Sequence, residues 1–308
     1  MYYLIEPERK LNVKKVIIVT LIFVCIISVT TILGIKSARK KCGDECLASV
    51  QELVNKIEEE EAIKKAEEQA KEQARIEQER QAEIEKTTVP LNEEQQYNIL
   101  HIYNNVGEKR VFLRFDDGPT KAVTPFILDL LKEQDIKATF FVLGSNAQYN
   151  PDLIKREYDE GHYIANHSFS HKYSQVYASI DAAIDEYNRT EQIIRDAIGN
   201  QNYRCNVFRF PGGSTGGTYS AIKKEIKASF LENGIVHLDW NALSSDAAGS
   251  YTKEQLLQNA IETIGEKQSV VLLMHDASDK ILTYEMLPEL IQYLRDNGYV
   301  FKTIYDLL

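Results

Sequence analysis

From about Leu100 onward, short apolar runs alternate with longer amphipathic ones, and that alternation constrains the fold more than any other feature of the chain. Val111–Phe115, Ala138–Leu143, Tyr163–Asn166, Val207–Phe210, Ile235–Leu238, Val270–Met274 and Phe301–Ile304 read as strands. Between them, Ala122–Glu133, Asp152–Glu160, Ile180–Ile198, Ser220–Asn233, Lys253–Glu266 and Ile281–Asn297 read as helices. Strand-helix alternation implies a parallel sheet, because a crossover helix returns each strand in the same direction. Six to eight such units in this length suit a small (β/α) barrel better than an open sheet. In such a barrel the chemistry sits at the C-terminal ends of the strands.

The N-terminal third is built differently. Val16–Ile35 is a run of 20 residues without a charge. At helical rise it spans about 30 Å, the thickness of a bilayer's hydrocarbon core. A cleaved signal peptide is the competing reading, but its apolar core is shorter and a small-x-small cleavage site should follow. Here Lys36-Ser37-Ala38-Arg39-Lys40-Lys41 follows instead. The expectation is an uncleaved transmembrane helix over 16–35, with residues 1–15 cytoplasmic. Basic residues flank both ends, so charge alone barely orients it. Leu47–Lys86 is rich in Glu, Lys, Gln and Ala and lacks Gly and Pro, a composition of strong helix formers. Leu47, Val50, Val54 and Ile57 form a short coiled-coil seam through which a homodimer can pair. Residues 36–96 are therefore expected to be a charged helical stalk, with Thr87–Pro90 ending the helix and Pro90–Tyr97 a linker. The remaining domain is 97–308.

A net charge of −10 argues against a nucleic-acid partner, which calls for a basic stripe. The four cysteines, Cys25, Cys42, Cys46 and Cys205, form no Cys-x-x-Cys pair, so no structural zinc knuckle is expected. Cys42 and Cys46 can pair or stay free thiols, and Cys205 reads as structural.

The chemistry gathers at predicted strand ends. Val111–Phe115, apolar except for Arg114, runs into Asp116-Asp117-Gly118-Pro119. Two adjacent carboxylates are costly unless a cation or a proton separates their roles. One can bind a metal while the other handles protons. His167-Ser168-Phe169-Ser170-His171 follows another strand. On one turn of helix these two histidines share a face, and with Asp117 they make a two-His-one-carboxylate set with open positions. Zinc is the default metal; iron, manganese and cobalt suit the same set. Arg209 precedes Pro211-Gly212-Gly213, where it can pair with Asp116 while glycine N–H groups offer an oxyanion hole. His275 ends the last long apolar run and can act as a general acid, with Asp246 able to orient it and raise its pKa. His101, His162 and His237 have no partner and read as structural or solvated.

Phe115–Pro119, His167–His171, Arg209–Gly212, Ser245-Asp246 and Leu273–His275, in this order, make the chain resemble the polysaccharide deacetylases, the carbohydrate esterases with a NodB homology domain. The resemblance covers about Val111 to Leu308. It implies a distorted (β/α)7 barrel that removes acetyl from an N-acetylated sugar. It further implies roles: Asp116 as base, Asp117, His167 and His171 as metal ligands, Arg209 tuning Asp116, and Asp246 tuning His275. Gly212 would donate its N–H to the oxyanion, and Leu273 would line the acetyl pocket. Three positions depart from the family pattern: Gly212 where many members have Tyr, Ala247 where many have Trp, and Leu243 where many have Asp. Trp240 is expected to cover part of the missing aromatic wall.

Anchor, stalk and deacetylase together lead to an expected bacterial, Gram-positive surface enzyme with its catalytic domain outside the membrane. The expected substrate is peptidoglycan, with N-acetylglucosamine ahead of N-acetylmuramic acid or another N-acetylated surface polysaccharide. Resemblance also implies a contribution to lysozyme resistance. The rival classes are a catalytically silent wall-binding module and a coiled-coil signalling or division protein.

Overall fold

The computed structural model describes residues 36–249 and 251–308. The chain divides into two units, residues 1–77 and 78–308. The expected transmembrane helix at 16–35 and the cytoplasmic segment at 1–15 lie outside the described residues. No helix among the described residues is long and apolar enough to cross a membrane.

Helix α1, Lys36–Lys86, has the expected uninterrupted helix formers. Residues 58–77 are exposed on every side, with pairs such as Lys56–Glu52 and Arg75–Glu72 one turn apart along the helix. Of the expected seam, Val54 and Ile57 are half-exposed, and the side chains of Leu47 and Val50 are outside the described ones.

The linker expected at Pro90–Tyr97 is instead the start of helix α2, Glu93–Leu100. Asn92 and Gln95 close a reciprocal capping box at its N-terminus. Leu91, Ile99 and Ile102 are buried with Phe112, Phe141, Tyr163, Val207, Val236, Val271 and Ile304. The polar stretch hid a short helix that buries a single residue of its own, Ile99, between the buried Leu91 and Ile102 that flank it.

The sheet is all parallel: β1 Arg110–Asp116, β2 Thr139–Val142, β3 Tyr163–Asn166, β4 Val207–Phe208, β5 Val236–His237, β6 Ala242–Leu243, β7 Ser269–His275 and β8 Val300–Lys302. Its order is β5-β4-β3-β2-β1-β7-β6, with β8 also paired to β1. The expected barrel is thus open, since no pairing joins β5 to β6 among the described residues. The alternation also fails there: β6 lies in the stretch expected to be loop, with no helix between it and β5. Two residues flanked by Asn241 and Ser244 give no apolar run to detect. The last strand spans Val300–Lys302 rather than Phe301–Ile304, and Ile304–Leu307 forms a 3₁₀ turn.

The connecting helices are α3 Thr124–Glu133, α4 Gly144–Tyr149, α5 Pro151–Asp159, α6 Tyr173–Val176, α7 Ile180–Ile198, α8 Ser220–Glu232, α9 Lys253–Ile264 and α10 Ile281–Asp296. Their ends follow local chemistry. Ser179 caps α7 by accepting from Ala182 N–H, and Gly199 ends it in the left-handed region.

Strand periodicity of two sorts side chains onto the two faces. Val111, Leu113 and Phe115 pack outward with Ile164, Val270, Leu272 and the helices. Phe112, Tyr163, Ala165, Val207 and Val271 face the inner side over α2. Continuing that phase toward the C-terminal strand ends brings Arg114 and Asp116, His167, Arg209, and Leu273 and His275 to the same face.

Candidate active site

Strand β1 delivers Asp116 in register with His275 of β7 and Phe141 of β2. Asp116 is 1% exposed, so an ionised carboxylate there needs partners. Arg114, two residues earlier and therefore on the same face, supplies them. Its Nε donates to Asp116 Oδ1 at 3.1 Å and its Nη2 to Oδ2, a two-pronged pair. Arg114 is itself fixed by Nη1 donating to the carbonyls of Leu238 and Asp239. The pairing of Arg209 with Asp116 expected from the sequence is present as an ion pair, but the hydrogen bonds that hold the carboxylate come from Arg114. Arg209 Nε lies 3.4 Å from Asp116 Oδ2 but makes no hydrogen bond, while Nη1 donates to Phe210 O and Asp239 Oδ1. Arg209 thus contributes charge beside Asp116 while Arg114 holds it. The signal was present: one arginine in an otherwise apolar strand, at the i−2 position to an aspartate. Burial alone would raise the Asp116 pKa, but Arg114, then His167, Arg209 and His275, outweigh it and hold it low.

Asp117 turns away because its backbone enters the left-handed region, φ 74°. Asn146 Nδ2 donates to its carbonyl at 2.7 Å, and its N–H donates to Phe141 O. Its Oδ1 lies 3.4 Å from His167 Nε2 and 3.6 Å from His171 Nε2. The two histidines are not on a helical turn as the spacing suggested. They sit in a loop with positive φ at Ser168 and His171, which brings their ring centroids to 4.9 Å. Glu186 Oε2 pins that loop by accepting the N–H groups of Phe169 and Ser170.

These three residues fit a divalent cation. Their ligand atoms all lie within 4.8 Å of one another. His167 Nδ1 is 2.7 Å from Arg209 O, a group that only accepts, so Nδ1 carries a proton and, in the neutral ring, Nε2 keeps its lone pair. That lone pair faces Asp117 Oδ1, which is buried without a hydrogen-bond partner. Two acceptors facing each other are tolerated when a cation lies between them. Burial, reinforced by His167, lowers the His171 pKa to about 4, keeping it in the neutral form that ligates.

On the other side, Asp246 grips His275 twice. Oδ1 accepts from His275 Nδ1 at 2.7 Å and Oδ2 from its backbone N–H at 2.8 Å. Thr283 donates its hydroxyl to Asp246 Oδ2 at 2.8 Å. Burial would lower the His275 pKa, but Asp246 outweighs it and the net direction is upward. The residue after His275 was missed. Asp276 is fully buried beneath the Asp116–Gly118 turn, accepting from Thr124 Oγ1 at 2.5 Å. A Cβ at Gly118 would lie 2.0 Å from Asp276 Oδ2, so this close approach requires glycine. Burial, then the charges of Asp117 and Asp116, raises Asp276 to about 7.

All ten residues singled out in the sequence line one cavity of about 300 Å³: Asp116, Asp117, His167, His171, Arg209, Gly212, Trp240, Asp246, Leu273 and His275. Tyr173, Leu243, Ser245, Ala247 and Ala248 complete the wall. Trp240 stacks over Arg209, whose guanidinium carbon is 4.3 Å from the ring centroid. The other histidines stay apart: His162 is buried and accepts from Ala138 N–H, and His101 is exposed on α2's end.

The family model described as polysaccharide deacetylase matches residues 103–230. A peptidoglycan-N-acetylglucosamine deacetylase of Bacillus cereus is 31% identical over 213 residues, 66% of this chain and 72% of that protein. The chain belongs to the polysaccharide deacetylase family. Another relative, the peptidoglycan-N-acetylglucosamine deacetylase PgdA of Listeria monocytogenes, is 34% identical over 206 residues. That match spans 65% of this chain but 39% of PgdA. Among solved structures, a Streptococcus mutans CE4 esterase superposes with a TM-score of 0.61 at 32% identity, over 70% of this chain and 91% of the esterase. Gly212, Leu243 and Ala247, the three positions expected to depart from the family pattern, all line the cavity, so they fall on its wall.

Proposed function

We propose that this protein is a metal-dependent N-deacetylase of cell-wall glycan, acting on N-acetylglucosamine in peptidoglycan. One observation carries the reading: a partnerless carboxylate oxygen facing two imidazoles, with a paired carboxylate on one side and a paired imidazole on the other. A silent binding module has no use for that arrangement. The relatives' substrates, as their names give them, supply the glycan.

A divalent cation held by Asp117, His167 and His171, zinc first with cobalt or manganese able to replace it, supplies Lewis-acid polarisation of the acetyl carbonyl and a water of lowered pKa. Asp116, kept ionised by Arg114, takes a proton as water attacks the acetyl carbon. The Gly212 N–H donates to the developing oxyanion, a contribution on the order of 10²-fold or more. His275, protonated and oriented by Asp246, gives its proton to the amine nitrogen as the C–N bond breaks. Leu273 and Trp240 wall the acetyl group and sugar. Acetate leaves and a glucosamine amine remains, a change that lowers wall sensitivity to lysozyme.

We further propose that Val16–Ile35 anchors the chain in a bacterial cell membrane with the catalytic unit outside, and that the stalk spaces it from the surface. The test of the activity is mass spectrometry of wall fragments treated with the purified zinc-loaded chain. Loss of one acetyl mass per N-acetylglucosamine, with acetate released in equal amount, is expected. Loss from N-acetylmuramic acid instead would reassign the sugar, and no loss from either would overturn the reading.

A further inference from the structure

Gly212 has no side chain, and the space where one would begin is taken. A Cβ there would lie 2.4 Å from Tyr173 Oη and 2.8 Å from Cζ. Atoms that close cannot coexist, so the cavity wall at this point is a phenol delivered from α6. Tyr173 is not core filler: it is 42% exposed and lines the cavity between His171 and Gly212. Its ring lies 5.8 Å from the His171 ring. Behind it stand Tyr177 at 5.9 Å and, edge-on, Tyr219 at 6.5 Å. Tyr177 donates its hydroxyl to Pro211 O at 2.6 Å, tying α6 to the loop that carries Gly212. The phenol is therefore supported from behind and open toward the site.

We propose that Tyr173 is a substrate-binding residue, packing its ring on the sugar that bears the acetamide and hydrogen-bonding one of that sugar's hydroxyls. This rests on the deacetylase reading above. The chemistry matches a pyranose: an aromatic surface for its C–H face, and a hydroxyl that both donates and accepts. The location matches too, since Gly212 N–H is the group assigned to the acetyl oxygen and the acetamide is attached directly to the ring.

The test measures acetate release by the full zinc-loaded chain from a β-1,4-linked N-acetylglucosamine pentamer. Tyr173→Phe, which removes only the hydroxyl, should raise KM about 2- to 10-fold with kcat within about twofold. Tyr173→Ala should raise KM further by removing the ring. Zinc content and melting temperature should not change in Tyr173→Phe. Gly212→Ala should be weakly active, and adding Tyr173→Ala to it should recover part of the lost melting temperature, because the clash is removed while the strain of a left-handed backbone at 212, φ 71°, remains. Unchanged KM in Tyr173→Phe overturns the proposal while leaving the deacetylase reading intact. A KM rise accompanied by lost zinc or a lowered melting temperature also overturns it, as that marks a packing role. A parent chain that releases no acetate from the pentamer or from wall fragments overturns both.

Discussion

Asp116 and Asp117 are adjacent yet face different work, because the backbone is extended at the first and left-handed at the second. Asp117→Ala should lose zinc and therefore activity. Asp116→Asn should keep zinc and lose about 10²- to 10⁴-fold in turnover, roughly 3–5 kcal/mol of barrier, because an amide cannot accept the proton. Elemental analysis and acetate release on the same preparations check this; the reverse pattern would exchange the two roles. The partners of the base and the acid set opposite limbs of the pH profile. Asp116 must be ionised to act. Arg114 is the first of the groups that offset burial, so its removal raises the Asp116 pKa relative to the parent, and Arg114→Met should move the acidic limb of kcat/KM to higher pH. His275 must be protonated to act, and Asp246 is what lifts its pKa above the ordinary value. Asp246→Asn should therefore move the alkaline limb to lower pH, and a variant whose alkaline limb stays in place would remove Asp246 from that role. At this scale the sequence was legible where motifs are contiguous. Arg114 was overlooked because its meaning lies in strand phase, and Tyr173 and Asp276 because their neighbours are distant in sequence.

The elements of residues 78–308 follow the apolar periodicity closely where runs are long, as in α7, α10 and β7, and poorly where they are short. Strands β4, β5 and β6 have two residues each, so their boundaries are set by pairing partners rather than by their own pattern. Helix α2 was hidden for a related reason: four of its eight residues are Glu or Gln, and its burial is decided by the open end of the sheet it covers. Helix α5 carries the opposite anomaly, an acid inside. Glu157 is fully buried and both its carboxylate oxygens lack hydrogen-bond partners. Burial first, then the charge of Asp276, pushes its pKa well above 4.5. Above pH 4.5 the unfolded chain has released this proton while the folded chain retains it. Stability contributed here therefore falls as pH rises through that window toward the folded pKa. Glu157→Leu removes the penalty, so its melting temperature should exceed the parent's by more at pH 8 than at pH 4. An equal difference at both pH values would mean that Glu157 finds partners when ionised.

For the whole molecule, the proposed anchor at 16–35 raises the question of which side of a membrane the catalytic unit would occupy. Arg9, Lys10, Lys14 and Lys15 precede the uncharged run at 16–35, and Lys36, Arg39, Lys40 and Lys41 follow it. Equal basic flanks leave the positive-inside rule nearly balanced, so flanking charge does not decide orientation. On the proposed function, substrate chemistry does: a cavity proposed to deacetylate a wall polymer is useful only where the polymer is. Residues 78–308 form one compact unit with its own core, so their exposure should be all-or-none. The helix preceding them offers a long exposed run of Glu, Lys and Gln with no packed core to shield it, which makes it the site where an added protease should cut first. Protease applied to intact protoplasts should therefore release a fragment containing residues 97–308 into the medium, still zinc-loaded and active on soluble glycan. The fragment's activity separates an enzyme on a stalk from a coiled-coil protein with an incidental domain, since an enzyme needs only its cavity. If the unit is protected while antibody or protease reaches residues 1–15, the orientation is reversed and a peptidoglycan substrate loses its basis.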